Sequence, residues 1–227
     1  RGEYLGFVDP DDKVDHRMFG TLYSAAKESG SDIVFSGFIE DYGRRRIPIE
    51  YPLLSHSHKK ISRINKEALI EHVVSGSLHA FVWNKLFKAS LIVENGIKFP
   101  ENLPLMHDIP FVLDALAKAN FGLYIPQELY LFRRHELSNS LKYRPDKFDI
   151  LLVLLRKKMQ IASETLHGIS CIKPKIYSWF LRSVIDTLLG VYKNIKIDKI
   201  SRDRIINEII GNDSVRESLK YARVGLR

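Results

Sequence analysis

Three carboxylates crowd into four residues of the stretch Phe7-Val8-Asp9-Pro10-Asp11-Asp12. They follow the nearly continuous apolar run Tyr4-Leu5-Gly6-Phe7-Val8, which has the composition of a strand covered on both faces. Carboxylates this close repel one another unless positive charge lies among them. A divalent cation supplies it: Mg2+ or Mn2+ takes one or two protein carboxylates and completes its shell with water and phosphate oxygens. The carboxyl end of a strand is also where α/β folds bind ligands. The plain alternative is an acidic turn that caps the next helix. A calcium loop fails on spacing, because Lys13, Val14 and Gly20 stand where an EF-hand needs an oxygen ligand, a glycine and a glutamate.

Other polar residues carry weaker signals. Asp108 opens a helix running to Lys118, where an acid suits the dipole and Pro110 is tolerated; taken alone it reads as a cap. Arg133, Arg134 and His135 close the last strand of the first part of the chain, where ion pairing on a strand surface is the ordinary role. Trp83 reads first as a core residue. His56 and His58 would need further ligands to hold a metal, and a solvated loop explains them better. No Walker A loop, GxGxxG, GxSxG or HExxH occurs, which removes the commonest ATPase, dehydrogenase, esterase and zinc-protease readings.

The elements that must position these residues follow from periodicity. After the first strand, Met18, Leu22 and Ala25/Ala26 predict a helix over about Val14 to Ser29, stopped by Gly30. Residues 32–39 predict a second strand, which completes a strand-helix-strand unit. An extended segment and an exposed loop are expected from Tyr42 to Arg63. Asn65 caps a helix to Val74 that Gly76 ends. A further helix is expected over about Val82 to Glu94, then irregular chain to 107, the Asp108 helix, and two short strands near 121–125 and 128–133. Past Pro145 the pattern turns wholly helical: Phe148 to Leu166, Ile176 to Val191, and one or two shorter helices over 201–225. The organisation is a domain over 1–142 and a small all-α module over 143–227.

Composition sets the outer limits. With 45% hydrophobic and 27% charged residues the 227-residue chain is a folded one rather than a disordered one. The single Cys171 excludes an intramolecular disulfide and fits a reducing compartment. No apolar run is long enough to span a bilayer, and the first residues lack the apolar segment of a signal peptide. The net charge of +8 is uneven. Residues 1–140 hold 17 Lys and Arg against 18 Asp and Glu, and residues 141–227 hold 18 against 9. A basic module points to an anionic partner such as lipid headgroups or a phosphorylated acceptor, or else to solvation of helices whose apolar stripes pack together or against a second subunit. Aromatics do not interleave with the basic clusters, so no nucleic acid partner is expected.

Read together, several blocks resemble the GT-A type, family 2 glycosyltransferases. R-G-E-Y-L-G-F-V-D-P-D-D is similar to the stretch carrying that family's DXD motif. S-D-I-V-F-S-G-F (32–39) resembles its next strand, F-V-W-N-K-L-F-K-A-S-L-I (81–92) its "W-x-K-hydrophobic-F/Y" segment, and G-I-K-F-P-E-N-L (96–103) with H-D-I-P-F (107–111) the stretch ending in "E-D-x-x-F". L-Y-L-F-R-R-H-E-L-S-N-S (129–140) resembles the closing "Y-x-Y-R-x-x-x-x-S-x-S". The blocks occur in the family's order across residues 1–140, and the tail carries none.

The resemblance implies a partial GT-A (Rossmann-like) mixed-sheet domain of the α/β class, followed by the helical module. It implies inverting, metal-assisted transfer from a nucleotide-sugar, with a UDP-sugar the expected donor, to a saccharide or lipid-linked acceptor in bacterial surface polysaccharide or glycoconjugate synthesis. Asp9 and Asp11 would hold Mn2+ or Mg2+ on the donor diphosphate with Asp12 in support, and Asp108 would be the general base. Arg133, Arg134 and His135 are candidates for the diphosphate or the metal. His107 stands where the family usually has Glu. The family places a nucleotide-binding half before the DXD strand, so the chain by itself is expected to be inactive or weak. The cytoplasm, with contact at the inner membrane face through the basic tail, is the expected location. The alternative is a non-catalytic anion- or partner-binding module on the same scaffold.

Overall fold

The computed structural model describes residues 2–51, 61–134 and 144–222. Among these residues seven strands form one mixed sheet: β1 (Tyr4–Gly6), β2 (Lys13–Val14), β3 (Ile33–Asp41), β4 (Arg46–Ile49), β5 (Ser62–Asn65), β6 (Lys85–Lys88) and β7 (Phe121–Arg133). The order is β1-β6-β3-β7-β2, with β4 on the far end of β3 and β5 on the start of β7. Helices α1 (Met18–Ser29), α2 (Lys66–Ser75), α3 (Ala89–Glu94) and α4 (Asp108–Lys118) accompany the sheet. Four more follow among the described residues: α5 (Lys147–Thr165), α6 (Ile169–Lys193), α7 (Lys199–Gly211) and α8 (Asp213–Tyr221). The class is α/β, a mixed sheet followed by helices, as the sequence predicts.

Local chemistry explains most of the boundaries. Asn65 caps α2 by accepting the Ala68 N–H at 2.8 Å, and Gly76 ends it in the left-handed conformation. Gly30 closes α1 in the same way, and α4 begins at Asp108 as expected.

Three expectations are corrected. The helix expected from Val14 starts at Met18. Lys13–Val14 is instead paired with Leu131 and Tyr130, and the Asp15 carboxylate takes the Arg17 N–H at 2.9 Å, holding the chain in a turn. The helix expected over Val82 to Glu94 divides into β6 and α3. Its first part is drawn into strand because it pairs with both β1 and β3, so tertiary pairing overrides helical spacing. That insertion also separates β1 from β3, which run parallel with β6 antiparallel between them. The two strands expected around Pro126 are the single 13-residue β7, whose ladder with β3 shifts register at Gly37. A side chain at 37 would meet the Ile49 and Gln127 carbonyl oxygens at 3.1 and 3.3 Å, so glycine lets both neighbouring strands approach closely there.

One apolar core runs from the sheet into the helices, joining Leu69, Val73, Phe111 and Tyr124 with Leu151, Ile176 and Phe180. Ion pairs tie the two regions at their edges, Lys157 to Asp114 at 2.6 Å and Lys175 to Glu71 at 2.7 Å. Deeper, the Lys158 ammonium of α5 reaches the end of α2, donating to the Val73 and Val74 carbonyls at 2.7 and 3.2 Å. It also lies 3.9 Å from the centre of the Trp179 ring of α6.

Candidate active site

The acidic turn is held from both sides. β1 feeds it from the β6 edge of the sheet, and β2 ties its far end to β7. Within the turn the Asp12 N–H donates to the Asp9 carbonyl at 3.2 Å. The Tyr130 hydroxyl of β7 then braces it, accepting the Asp9 N–H at 3.1 Å and donating to the Asp12 carboxylate at 2.8 Å. The other Asp12 oxygen accepts the Arg133 N–H at 2.8 Å, and the Arg133 guanidinium donates to the Asp11 carbonyl at 3.2 Å.

Asp12 is thereby committed to fixing the turn, while Asp9 has its backbone fixed and its side chain among like charges. Burial, then the charges of Asp12, Asp108 and Asp11, push the Asp9 carboxyl up to about 6, with His107 pulling the other way. Burial also raises Asp12, against the Arg133 N–H and the Tyr130 hydroxyl.

Asp108 reaches the same place from the opposite direction, as the first residue of α4. One carboxylate oxygen accepts the Val82 N–H at 3.3 Å, and the other lies 3.4 Å from His107 Nε2. Burial raises its affinity for a proton, offset by His107, the Val82 N–H and the charge of Lys85. Met106, two residues earlier, has φ 57°, the one left-handed non-glycine among the described residues. Strain of this kind is tolerated where the surroundings over-determine a position. Met106 itself packs against the buried cluster of Leu103, Ile150 and Leu154; nearby, Phe99 stacks on Phe111 at 4.2 Å between centroids, and Phe7, just before the carboxylates, meets both edge-on.

Beneath the site lies buried Lys85, donating to the Asn84 side chain at 2.8 Å and the His79 carbonyl at 3.2 Å. Burial pushes its ammonium down to about 7, opposed by the Asp108 charge. Trp83 is core, stacked between Phe81 and Tyr130.

Asp9, Asp11, Asp12 and Asp108 are thus brought into one electrostatic neighbourhood, with Arg133 on the turn. Arg134 instead pairs with Glu40 at 2.6 Å and lies over Phe132. His135, His56 and His58 lie outside the described residues. Tyr130 was not singled out by sequence reasoning as a bracing residue, and Lys85 entered only as part of the W-x-K block. Tyr130 sits in the unbroken apolar run Leu129-Tyr130-Leu131-Phe132, so nothing in the sequence separated it from a core residue.

The donor set suits a divalent cation that takes few protein ligands. Negative charge is in excess around Asp9, and among the described residues no three His, Cys, Asp or Glu groups converge as a cage. One or two carboxylates would hold the ion, and phosphate oxygens and water would complete its shell.

No protein-family model matches the chain. In sequence it is 28% identical over 223 residues to an uncharacterized glycosyltransferase, EpsJ, of Bacillus subtilis, covering 97% of this chain and 64% of that protein. It is 31% identical over 119 residues to a poly(ribitol-phosphate) beta-glucosyltransferase of Bacillus spizizenii, covering 52% of this chain and 17% of that one. In structure it superposes on S. aureus TarS, solved in complex with UDP-GlcNAc, with a TM-score of 0.65 and 16% identity, over 98% of this chain and 60% of that one. The chain is similar in sequence to these bacterial glycosyltransferases and has the GT-A-like fold of TarS. It spans somewhat under two thirds of the length of EpsJ and TarS.

Proposed function

We propose that this chain carries the catalytic face of a bacterial glycosyltransferase, one that moves a sugar from a nucleotide-sugar to a saccharide or lipid-linked acceptor with inversion. The observation that carries the proposal is the meeting of the braced acidic turn with Asp108, the first from the end of β1 and the second from the start of α4.

Each residue then has a distinct task. Asp9 and Asp11 would hold Mn2+ or Mg2+ against the donor diphosphate. Bound there, the ion would offset charge on the leaving phosphate. Asp12, Tyr130 and Arg133 keep the turn in place so that the carboxylates do not splay under their own repulsion. Asp108 accepts the proton of the acceptor hydroxyl. As that oxygen bonds to the anomeric carbon, the bond from carbon to diphosphate breaks on the opposite face and the nucleoside diphosphate leaves. A partly buried carboxylate with raised proton affinity suits this role, because a base nearer neutrality takes a proton more readily. The UDP-GlcNAc bound by TarS supports a UDP-sugar as donor.

Asp108→Asn, made in the protein that contains this chain, tests the assignment. Donor binding measured by calorimetry should persist while transfer falls on the order of 10²–10⁴-fold. Near-normal turnover would reduce Asp108 to a helix-starting residue.

A further inference from the structure

The turn between α6 and α7 presents an apolar tip that the described chain leaves uncovered. Tyr192, Ile195 and Ile200 are 65%, 94% and 83% exposed. Single exposed apolar residues are ordinary, but here three large ones stand within nine positions on an ordered turn. Arg202 ties the turn by donating to the Asn194 and Ile197 carbonyls at 3.3 and 3.0 Å. The Asn194 side chain accepts the Lys196 N–H at 3.1 Å, and Asp198 caps α7 by accepting the Ser201 N–H at 2.9 Å. The two isoleucines are therefore held outward by a stitched backbone.

Charge surrounds them in a matching pattern. Lys193, Lys196 and Lys199 are exposed and make no ion pair with a described residue. Residues 192–204 hold five basic residues against two acidic ones, and Asp198 is engaged as the cap. Ile185 and Leu189 continue the apolar stripe back along α6, at helical spacing from Tyr192. α6 meets α2 around Trp179, whose ring lies against Gly76. Thirteen residues on, Tyr192 lies about 20 Å further along the helix axis, so the tip stands well clear of that contact.

We infer that this tip is a membrane-docking element, setting Ile195 and Ile200 into the interface of an anionic bilayer with the lysines among the headgroups. A projecting turn offers no groove for a peptide or a helix, but it suits a fluid apolar layer that closes around it. Tyrosine favours the boundary between headgroups and chains, as Tyr192 would lie. Each nearby lysine strengthens attachment to an anionic leaflet about fivefold. A second copy of the chain is the competing occupant, but a two-fold contact through this tip would set the same five cations against their own images. The inference is independent of the catalytic proposal.

Flotation of the full chain tests it, using vesicles of phosphatidylglycerol and phosphatidylcholine in equal parts beside vesicles of phosphatidylcholine alone. Binding should appear only with the anionic vesicles and be lost at high salt. Ile195→Ser with Ile200→Ser should weaken it about tenfold or more. Lys193→Gln with Lys196→Gln should weaken it about 30-fold, while Lys98→Gln with Lys118→Gln, also exposed, leaves it unchanged. Absence of flotation would overturn the inference, and so would equal loss from the two lysine pairs. A dimer in solution that the isoleucine substitutions dissolve, without vesicle binding, would assign the tip to self-association instead.

Discussion

Lys158→Met separates what the buried ammonium of α5 contributes from what it costs. The side chain is 2% exposed, and methionine fills nearly the same space, so little cavity arises. Removed are the donations to the Val73 and Val74 carbonyls and the contact with the Trp179 ring. Val73 keeps one partner in the Gly76 N–H. An amine bond to a buried carbonyl and the desolvation of an acceptor left bare together amount to about 3 kcal/mol. Against this, burial pushes the lysine down to about 7. Below pH 7 both folded and unfolded chains hold the proton, and the native state carries the full penalty of a buried cation. Between 7 and the unfolded value the unfolded chain holds the proton and the native chain does not, so wild-type stability rises with pH. Integrated from pH 6 to pH 9, the rise is about 2.6 kcal/mol. The variant lacks it. The deficit of Lys158→Met should therefore be about 3 kcal/mol at pH 9, or roughly 6–12 °C in Tm, and shrink to a few tenths at pH 6. Urea unfolding of both proteins at matched pH reads this directly, since other titrations cancel in the difference. A deficit that stays constant from pH 6 to 9, or grows toward acid, would refute the reasoning.

Three further outcomes are expected. Asp11→Asn in the protein containing this chain should abolish Mn2+- or Mg2+-dependent binding of UDP-sugar without altering the circular dichroism; unchanged metal and UDP affinities in calorimetry would contradict the metal assignment. Tyr130→Phe removes the hydroxyl between the Asp9 N–H and the Asp12 carboxylate, and should cost about 1 kcal/mol in urea stability while weakening metal-dependent donor binding; full donor affinity would show that the turn holds without its brace. Gly76→Ala forces a side chain into the left-handed conformation and to 2.5 Å from Trp179 Cδ1, so a loss of about 2 kcal/mol or more is expected, measured by the urea midpoint.

The elements best legible in the sequence were those whose reasons are local. The apolar run into the acidic turn, Asn65 and Gly76 at the ends of α2, and Asp108 at the start of α4 each depend on neighbours a few residues away. β6 was not legible in that way. Val82 to Glu94 satisfies helical spacing, and only pairing with β1 and β3, both distant in sequence, draws its first part into strand. β2 was hidden for the same reason, since two residues make a strand only where Tyr130 and Leu131 arrive to pair with them. Within the site the carboxylates announced themselves by mutual repulsion. Their brace did not: a tyrosine in an apolar strand looks like core until its hydroxyl is seen on the turn. Lys158 was equally silent, because a lysine beside leucines on an amphipathic helix reads as a solvated flank.

The brace has a consequence for the order in which the molecule is made. The acidic turn lies within the first dozen residues, yet its hydrogen-bond partner on β7 is 121 positions later for Asp9 and 118 for Asp12. Closing a loop of that length carries an entropic term of about 4 kcal/mol, and long-range pairing of this kind slows folding. During synthesis the turn leaves the ribosome before Tyr130 and Arg133, with its carboxylates repelling one another and this brace still to come. It takes its final shape only after Tyr130 and Arg133 have emerged and β7 has joined β3. Assembly of the site is therefore a late event in the life of the nascent chain.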